Sequence, residues 1–313
     1  MEQRRLGNSG LVVSVVGLGC NNFGRKLDQQ GTTAVVEAAL DAGITLFDTA
    51  DIYGTPHGLS EEFLGKALRG RRDDVILATK FGMDMEGANG EDFGARGARR
   101  YIARAVEASL RRLGTDHIDL YQMHEPDPGT PIEETLAALD DLVHAGKVRY
   151  LGNSNFAGWQ IADADWVART QGLTRFISAQ NRYSLLHRHV EKATVPACER
   201  FGLGLLPFFP LESGLLTGKY KRGEAPAAGT RMSQDRYAHW IANAPWDAIE
   251  AIEKYAAARG LTPLDVAIGG LAARPAVASV IAGATTPEQV RANVAAGSWR
   301  PSTADLAELG PVL

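Results

Sequence analysis

The sequence is poor in cysteine: its 313 residues include two, Cys20 and Cys198, with neither a CxxC pair nor a metal-ligand spacing. A disulfide framework is not expected, and a reduced, cytoplasmic setting is. The opening Met1-Glu2-Gln3-Arg4-Arg5 has no apolar signal-peptide core. No run of about 18 apolar residues occurs, so no membrane partner is expected. The most apolar segment, Leu203 to Leu211, contains two prolines and reads as a buried strand with its exit loop. Long runs of like charge are also missing and the net charge is −4, so nucleic acid is not an expected partner. What remains is 45% hydrophobic and 22% charged residues, the composition of a globular enzyme.

Short apolar runs alternate with amphipathic stretches along nearly the whole chain. Strands are expected at Val13–Gly19, Thr45–Asp48, Val75–Thr79, Ile118–Tyr121, Arg149–Gly152, Phe176–Ala179, Gly204–Pro207 and Ser279–Ile281. Helical patterns fall near 32–42, 60–69, 98–113, 132–145, 158–170, 189–201, 246–259 and 287–297. Gly43, Gly146, Gly202 and Gly260 stand just past helices, where left-handed caps form. Thr286 and Pro287 suit an N-cap and first turn. Such alternation implies a parallel sheet covered by helices. Eight repeats favour a (β/α)₈ barrel, one domain over 1–313. The first strand is not followed by GxGxxG, which argues against a dinucleotide-binding open sheet. Gly7-Asn8-Ser9-Gly10 marks the turn of an N-terminal hairpin, expected to close the barrel bottom. Two long loops, Phe81 to about Gly97 and Leu211 to about Pro245, leave the strands on the mouth side.

Polar residues end the apolar strands. Asp48 ends the second, Lys80 the third, His124 follows the fourth, and Tyr53 lies just beyond Asp48. Neighbouring barrel strands bring these ends into one sector of the mouth. Their types suit carbonyl reduction, where an oxygen gains negative charge and needs a proton. Tyr53 is the candidate acid, Lys80 a cation expected to lower its pKa, Asp48 the partner holding Lys80 protonated, and His124 a donor to the carbonyl oxygen. Singly, each has an ordinary reading: a buried ion-pair partner, a packed aromatic, a surface lysine, a structural histidine. Their joint placement favours chemistry. Asp51, His57, Glu125 and Asp127 are nearby and are read as surface or loop residues.

The segments RRLGNSGLVVSVVGLG, FDTADIYG, ILATKFG, DLYQMH, GKVRYLGNSNF, AQNRYSLL, GLLTGKY and IAGATTPEQVRANVAA together resemble the aldo-keto reductase superfamily, over essentially the whole chain. The resemblance implies a (β/α)₈ barrel that binds NADPH in an extended form and reduces a small-molecule carbonyl. Tyr53 matches the general acid, Lys80 and Asp48 its partners, and His124 the group orienting the carbonyl. Ser154, Asn155 and Gln180 match contacts to the nicotinamide carboxamide, and Phe208 the ring that stacks on it. Pro210, Leu211, Gly214, Leu216, Lys219 and Arg231 match the segment around the pyrophosphate. Gly283, Thr285, Gln289 and Asn293 match contacts to the adenosine 2′-phosphate and adenine, at a helix N-terminus suited to an anion.

The chain departs from the pattern in places. Phe208 stands where many members have tyrosine, and Gly283 and Gln289 where mammalian-type members have lysine and arginine. The NADPH preference therefore rests on fewer charges and NADH use stays open. Two other readings stand beside the reductase: a cofactor-binding regulatory subunit of the potassium-channel β type, and a metal-dependent hydrolase on Asp48, Asp51 and His124. The hydrolase lacks a histidine pair at ligand spacing and would set Lys80 against the cation. Asn22, Phe23, Met83, Trp159, Tyr237 and Trp240 are candidates for the substrate wall, which would favour apolar or aromatic carbonyls. The sequence leaves the oligomeric state open.

Overall fold

Ser14 ends one structure and starts another. The computed structural model describes residues 1–312, apart from the side chains of residues 236, 311 and 312; the domain expected over 1–313 thus ends one residue past it. In it β1 (Gln3–Arg5) and β2 (Val12–Ser14) form the antiparallel hairpin, and β3 (Val16–Gly19) begins the barrel. The single strand expected over Val13–Gly19 is therefore two. Ser14 Oγ donates to Val16 O at 2.7 Å and Ser14 N to Thr45 Oγ1 at 2.8 Å, holding the chain where it turns from floor to wall.

After β3 come α1 (Gln29–Asp41), β4 (Leu46–Asp48), α2 (Leu59–Ala67), β5 (Ile76–Phe81) and α3 (Arg99–Leu113). Next are β6 (Ile118–Met123), α4 (Ile132–His144), β7 (Val148–Ser154), α5 (Gly158–Gln171), β8 (Phe176–Gln180), α6 (Thr194–Phe201) and β9 (Gly204–Leu205). The chain ends with α7 (Ala238–Ala242), α8 (Trp246–Ala257), α9 (Pro263–Ala272), β10 (Val280–Gly283), α10 (Pro287–Ala296) and α11 (Thr303–Val312). The eight strands β3 to β10 pair in parallel, in the order β10-β3-β4-β5-β6-β7-β8-β9. Leu205 N donates to Ala276 O at 2.7 Å, and Ile281 N to Pro207 O at 2.9 Å, which joins the two ends. This is the (β/α)₈ barrel, with α1 to α6 packed in succession outside it and α8, α9 and α10 continuing round to α1.

Leu46, Ala78, Leu120 and Leu206 fill the lower interior, with Leu6 and Val13 of the hairpin buried among them. The hairpin closes the bottom as expected. Gly7 makes this possible: a Cβ there would sit 2.4 Å from Gly202 O and its φ is +58°, so only glycine fits the approach.

Other boundaries differ from expectation for local reasons. The helix over 189–201 starts at Thr194, after a 3₁₀ turn at His189–Lys192. Pro196 falls in the first turn of α6, where its missing N–H costs nothing. The strand over Gly204–Pro207 shortens to its first two residues. Helices α7, α9 and α11 were not expected. Every residue of α9 from Val266 to Ala272 is buried, so no polar face marks it. Its available signal was the capping box of Thr262 and Asp265, with Pro263 at the first helical position. The four glycine caps have φ between +65° and +80°, and Thr286 Oγ1 caps α10 at Gln289 N.

Candidate active site

The alternation of side chains along a strand decides what reaches the mouth. In β5, Ala78 and Lys80 point into the barrel; Thr79 faces the helices, where its Oγ1 donates to Glu61 of α2 at 2.6 Å. Across the sheet Lys80 is in register with Gln122 of β6, and Asp48 with Ala78. Two residues above the apolar layer, the interior therefore becomes polar.

Asp48 and Lys80 are buried and joined, Nζ to Oδ2, at 2.6 Å; Nζ also donates to Thr49 O at 2.9 Å. The other carboxylate oxygen accepts from Gln122 Nε2 at 3.0 Å and Gln180 Nε2 at 2.8 Å. Gln122 is a site residue that the sequence reading missed. Nothing in DLYQMH distinguishes it from a core position; only its inward register on β6 does. A buried ion pair persists only when its remaining lone pairs are met, and the two amides meet them.

Tyr53 lies above this pair, with Lys80 Nζ 5.1 Å from its ring centroid. His124 meets Tyr53 edge to face, centroids 5.7 Å apart at 83°. Burial pulls the Lys80 ammonium down, but the charge and hydrogen bond of Asp48 act against it and the pKa is raised, so Lys80 is a cation. Tyr53 corrects an expectation. Burial pushes its phenol up by more than Lys80 draws it down, so its pKa is raised rather than lowered. The phenol therefore keeps its proton at neutral pH and is a loaded donor. Burial, then Lys80, hold His124 well below the usual imidazole range. It is a neutral ring with one N–H to donate.

Asp48, Tyr53 and His124 line one cavity of about 980 Å³. Its walls include eleven of the fourteen residues expected to hold cofactor: Gln180, Phe208, Pro210, Leu211, Gly214, Lys219, Arg231, Gly283, Thr285, Gln289 and Asn293. Ser154, Asn155 and Leu216 are not in that lining. Asn155, at φ +61°, donates Nδ2 to His124 O at 2.9 Å, which ties β7 to the histidine loop. Leu216 and Ser154 are buried beneath the surface. Thr285 N donates to Gln289 Oε1 at 2.8 Å, setting both at the start of α10.

The expected aromatic wall does not form. Of its six residues, Asn22 and Met83 line the main cavity, and Tyr237, with Asn22, lines an adjoining recess of about 210 Å³. Phe23 is packed in the core, Trp159 is 69% exposed on α5, and Trp240 faces Arg182, whose Cζ is 5.7 Å from its ring centroid. Asp51 is not a loop surface residue but fully buried, and His57 is a cavity residue. Both cysteines are buried free thiols. Among the described residues, no group of three or more His, Cys, Asp or Glu side chains is arranged to hold a metal ion, and no helix is long and apolar enough to cross a membrane.

Comparison with known proteins places the chain in a family. The chain is 37% identical over 302 residues to an uncharacterised oxidoreductase of Bacillus subtilis (strain 168), covering 95% of this chain and 91% of that protein. It is 35% identical to a probable voltage-gated potassium channel subunit beta of Oryza sativa subsp. japonica, with the same coverage. It is 32% identical to the L-glyceraldehyde 3-phosphate reductase of Escherichia coli (strain K12), over 99% of this chain and 91% of that one. A sequence model of the Aldo/keto reductase family matches residues 15–311, from the floor of the barrel to its last helix, and the chain belongs to that family of oxidoreductases.

Proposed function

We propose that this chain reduces an aldehyde or ketone to the alcohol with NADPH, in the cytoplasm, and that Tyr53 is the general acid. The observation carrying this reading is that Tyr53 and His124 face one cavity directly above the buried Lys80–Asp48 pair. The cavity also suits a nicotinamide dinucleotide by its donor set. Lys219, Arg231 and the N-terminus of α10 offer positive charge to phosphates, and the only lining carboxylate among the described residues, Asp48, is neutralised by Lys80. Gln180 and Phe208 would meet the nicotinamide, and Thr285, Gln289 and Asn293 the adenosine end. When bound, the reduced nicotinamide supplies the hydride.

The chain's own residues handle the carbonyl oxygen. His124, neutral and edge-on to Tyr53, donates one N–H to it and fixes its direction. As negative charge develops there, the Tyr53 phenol gives up its proton, and the Lys80 ammonium stabilises the phenolate left behind. Asp48, held by Gln122 and Gln180, keeps Lys80 charged and aimed. The raised phenol pKa does not obstruct this, because an alkoxide is far more basic than a phenolate.

The test is the loss of reduced-nicotinamide absorbance against a panel of carbonyls, with NADPH and NADH in parallel. Turnover with NADPH on at least one carbonyl is expected. Tight NADPH binding with no turnover on any carbonyl would favour instead the reading as a cofactor-binding regulatory subunit.

A further inference from the structure

Asp51, two residues before Tyr53, is fully buried, yet the chemistry proposed above leaves it unused. It belongs to a chain of side chains between the barrel wall and its helices. Asn89 donates Nδ2 to Asp51 Oδ2 at 2.9 Å, and Arg112 donates Nη1 to Asn89 Oδ1 at 3.0 Å. Arg112 continues through Nε to Glu61 Oε2 at 2.6 Å, and Glu61 Oε1 accepts from Thr79 at 2.6 Å. Gly58 makes room for this, since a Cβ there would lie 2.5 Å from Arg112 Cδ.

Four members of this chain sit on or next to regular elements; Asn89 comes from the loop 82–98 between β5 and α3. It is the only buried polar side chain of that loop. The loop contributes Met83 to the cavity wall, and its Glu86 lies 3.8 Å from His57, another cavity residue. Asp51 in turn is pinned through its backbone N to Lys80 O at 3.1 Å. Arg112 pairs directly with the buried Glu61 and reaches the second buried carboxyl, Asp51, only through Asn89. Burial, and then the Glu61 charge, push the Asp51 carboxyl well above the usual range.

The geometry points to Asn89 and Asp51 as a positioning pair that fastens the 82–98 loop to the turn presenting Tyr53, and so sets the width of the carbonyl pocket. This rests on the reductase reading of the cavity. Both ends of the Asn89 amide are satisfied in the interior, so truncating it leaves Asp51 and Arg112 unmet and the loop without its polar anchor.

The test uses the full chain with Asn89→Ala, measuring KM and kcat on a carbonyl, the Kd for NADPH, and amide hydrogen exchange across 83–97. The expected result is a carbonyl KM raised about tenfold, with kcat and cofactor Kd within about twofold and faster exchange confined to the loop. Asp51→Ala should repeat this, whereas Asp51→Asn, which keeps an acceptor for Asn89, should restore KM to within about twofold of the unaltered chain. Unchanged KM and exchange in Asn89→Ala would overturn the inference. So would failure to fold, or kcat, KM and cofactor Kd worsening together, since either outcome marks a general structural role. If the unaltered chain turns over no carbonyl, the reductase reading fails separately. The exchange arm then still decides whether Asn89 fastens the loop.

Discussion

The two ends of the barrel are built by opposite rules. At the bottom, Leu6 and Val13 close on Leu46, Ala78, Leu120 and Leu206, and the backbone turns through positive φ only at glycines such as Gly7 and Gly202. At the mouth, all six non-glycine residues with positive φ among the described residues follow strand ends: Glu86 and Phe93 after β5, Asn155 after β7, and Phe209, Glu212 and Ser213 after β9. Each such residue costs about 1–3 kcal/mol and persists only where its surroundings over-determine it. The mouth also holds the buried Lys80–Asp48 pair, whose two charges carry a desolvation cost that an apolar pair of the same volume would not. The apolar floor supplies stability, and the mouth spends part of it on the placement of charged groups.

This contrast can be broken from either end. Lys80→Met should have the largest effect, because it leaves Asp48 buried without its cation. A loss of about 3–5 kcal/mol in denaturant unfolding is expected, together with loss of turnover. Leu6→Ala, at the floor, should cost about 2–5 kcal/mol and leave the kcat of the remaining folded protein unchanged. An equal fall in kcat would show that the floor is not separate from the chemistry. Gln122→Leu should sharpen the comparison, since it removes one of the two amides from Asp48 Oδ1. About 1–3 kcal/mol of stability should go, with kcat falling more than KM changes.

The smallest effect is the pH dependence of His124. Its folded pKa is depressed, so its contribution is present above the unfolded value of about 6.5 and is lost as pH falls below it, through the folded pKa. The chain should lose stability on acidification with a slope of at most about 1.4 kcal/mol per pH unit from this group. In His124→Gln that part of the slope should vanish. An unchanged slope would mean that the imidazole is not held neutral by its surroundings.

Much of this was legible in the sequence because it is local. Asp48, Lys80 and His124 announce themselves by ending apolar strands, and the strand–helix period carries the barrel. What was not legible depends on register or on distant partners. Gln122 becomes a site residue only because it is paired with Lys80 across the sheet. Asp51 looked like a loop residue because its partner Asn89 lies 38 positions away. Helix α9 was hidden by being apolar on all sides, so its period was silent. The aromatic wall failed for another reason. A residue's place after a strand does not say which way its loop turns, and Phe23 turns into the core while Trp159 turns out to solvent.

The central claim is that the mouth performs proton transfer through Tyr53. The direct measurement is kcat and NADPH Kd for Tyr53→Phe against the unaltered chain on the best carbonyl found. The account predicts an unchanged Kd and a kcat lower by a factor on the order of 10² or more. A kcat within about twofold of the unaltered chain would contradict it, since general acid catalysis could not then reside on that hydroxyl.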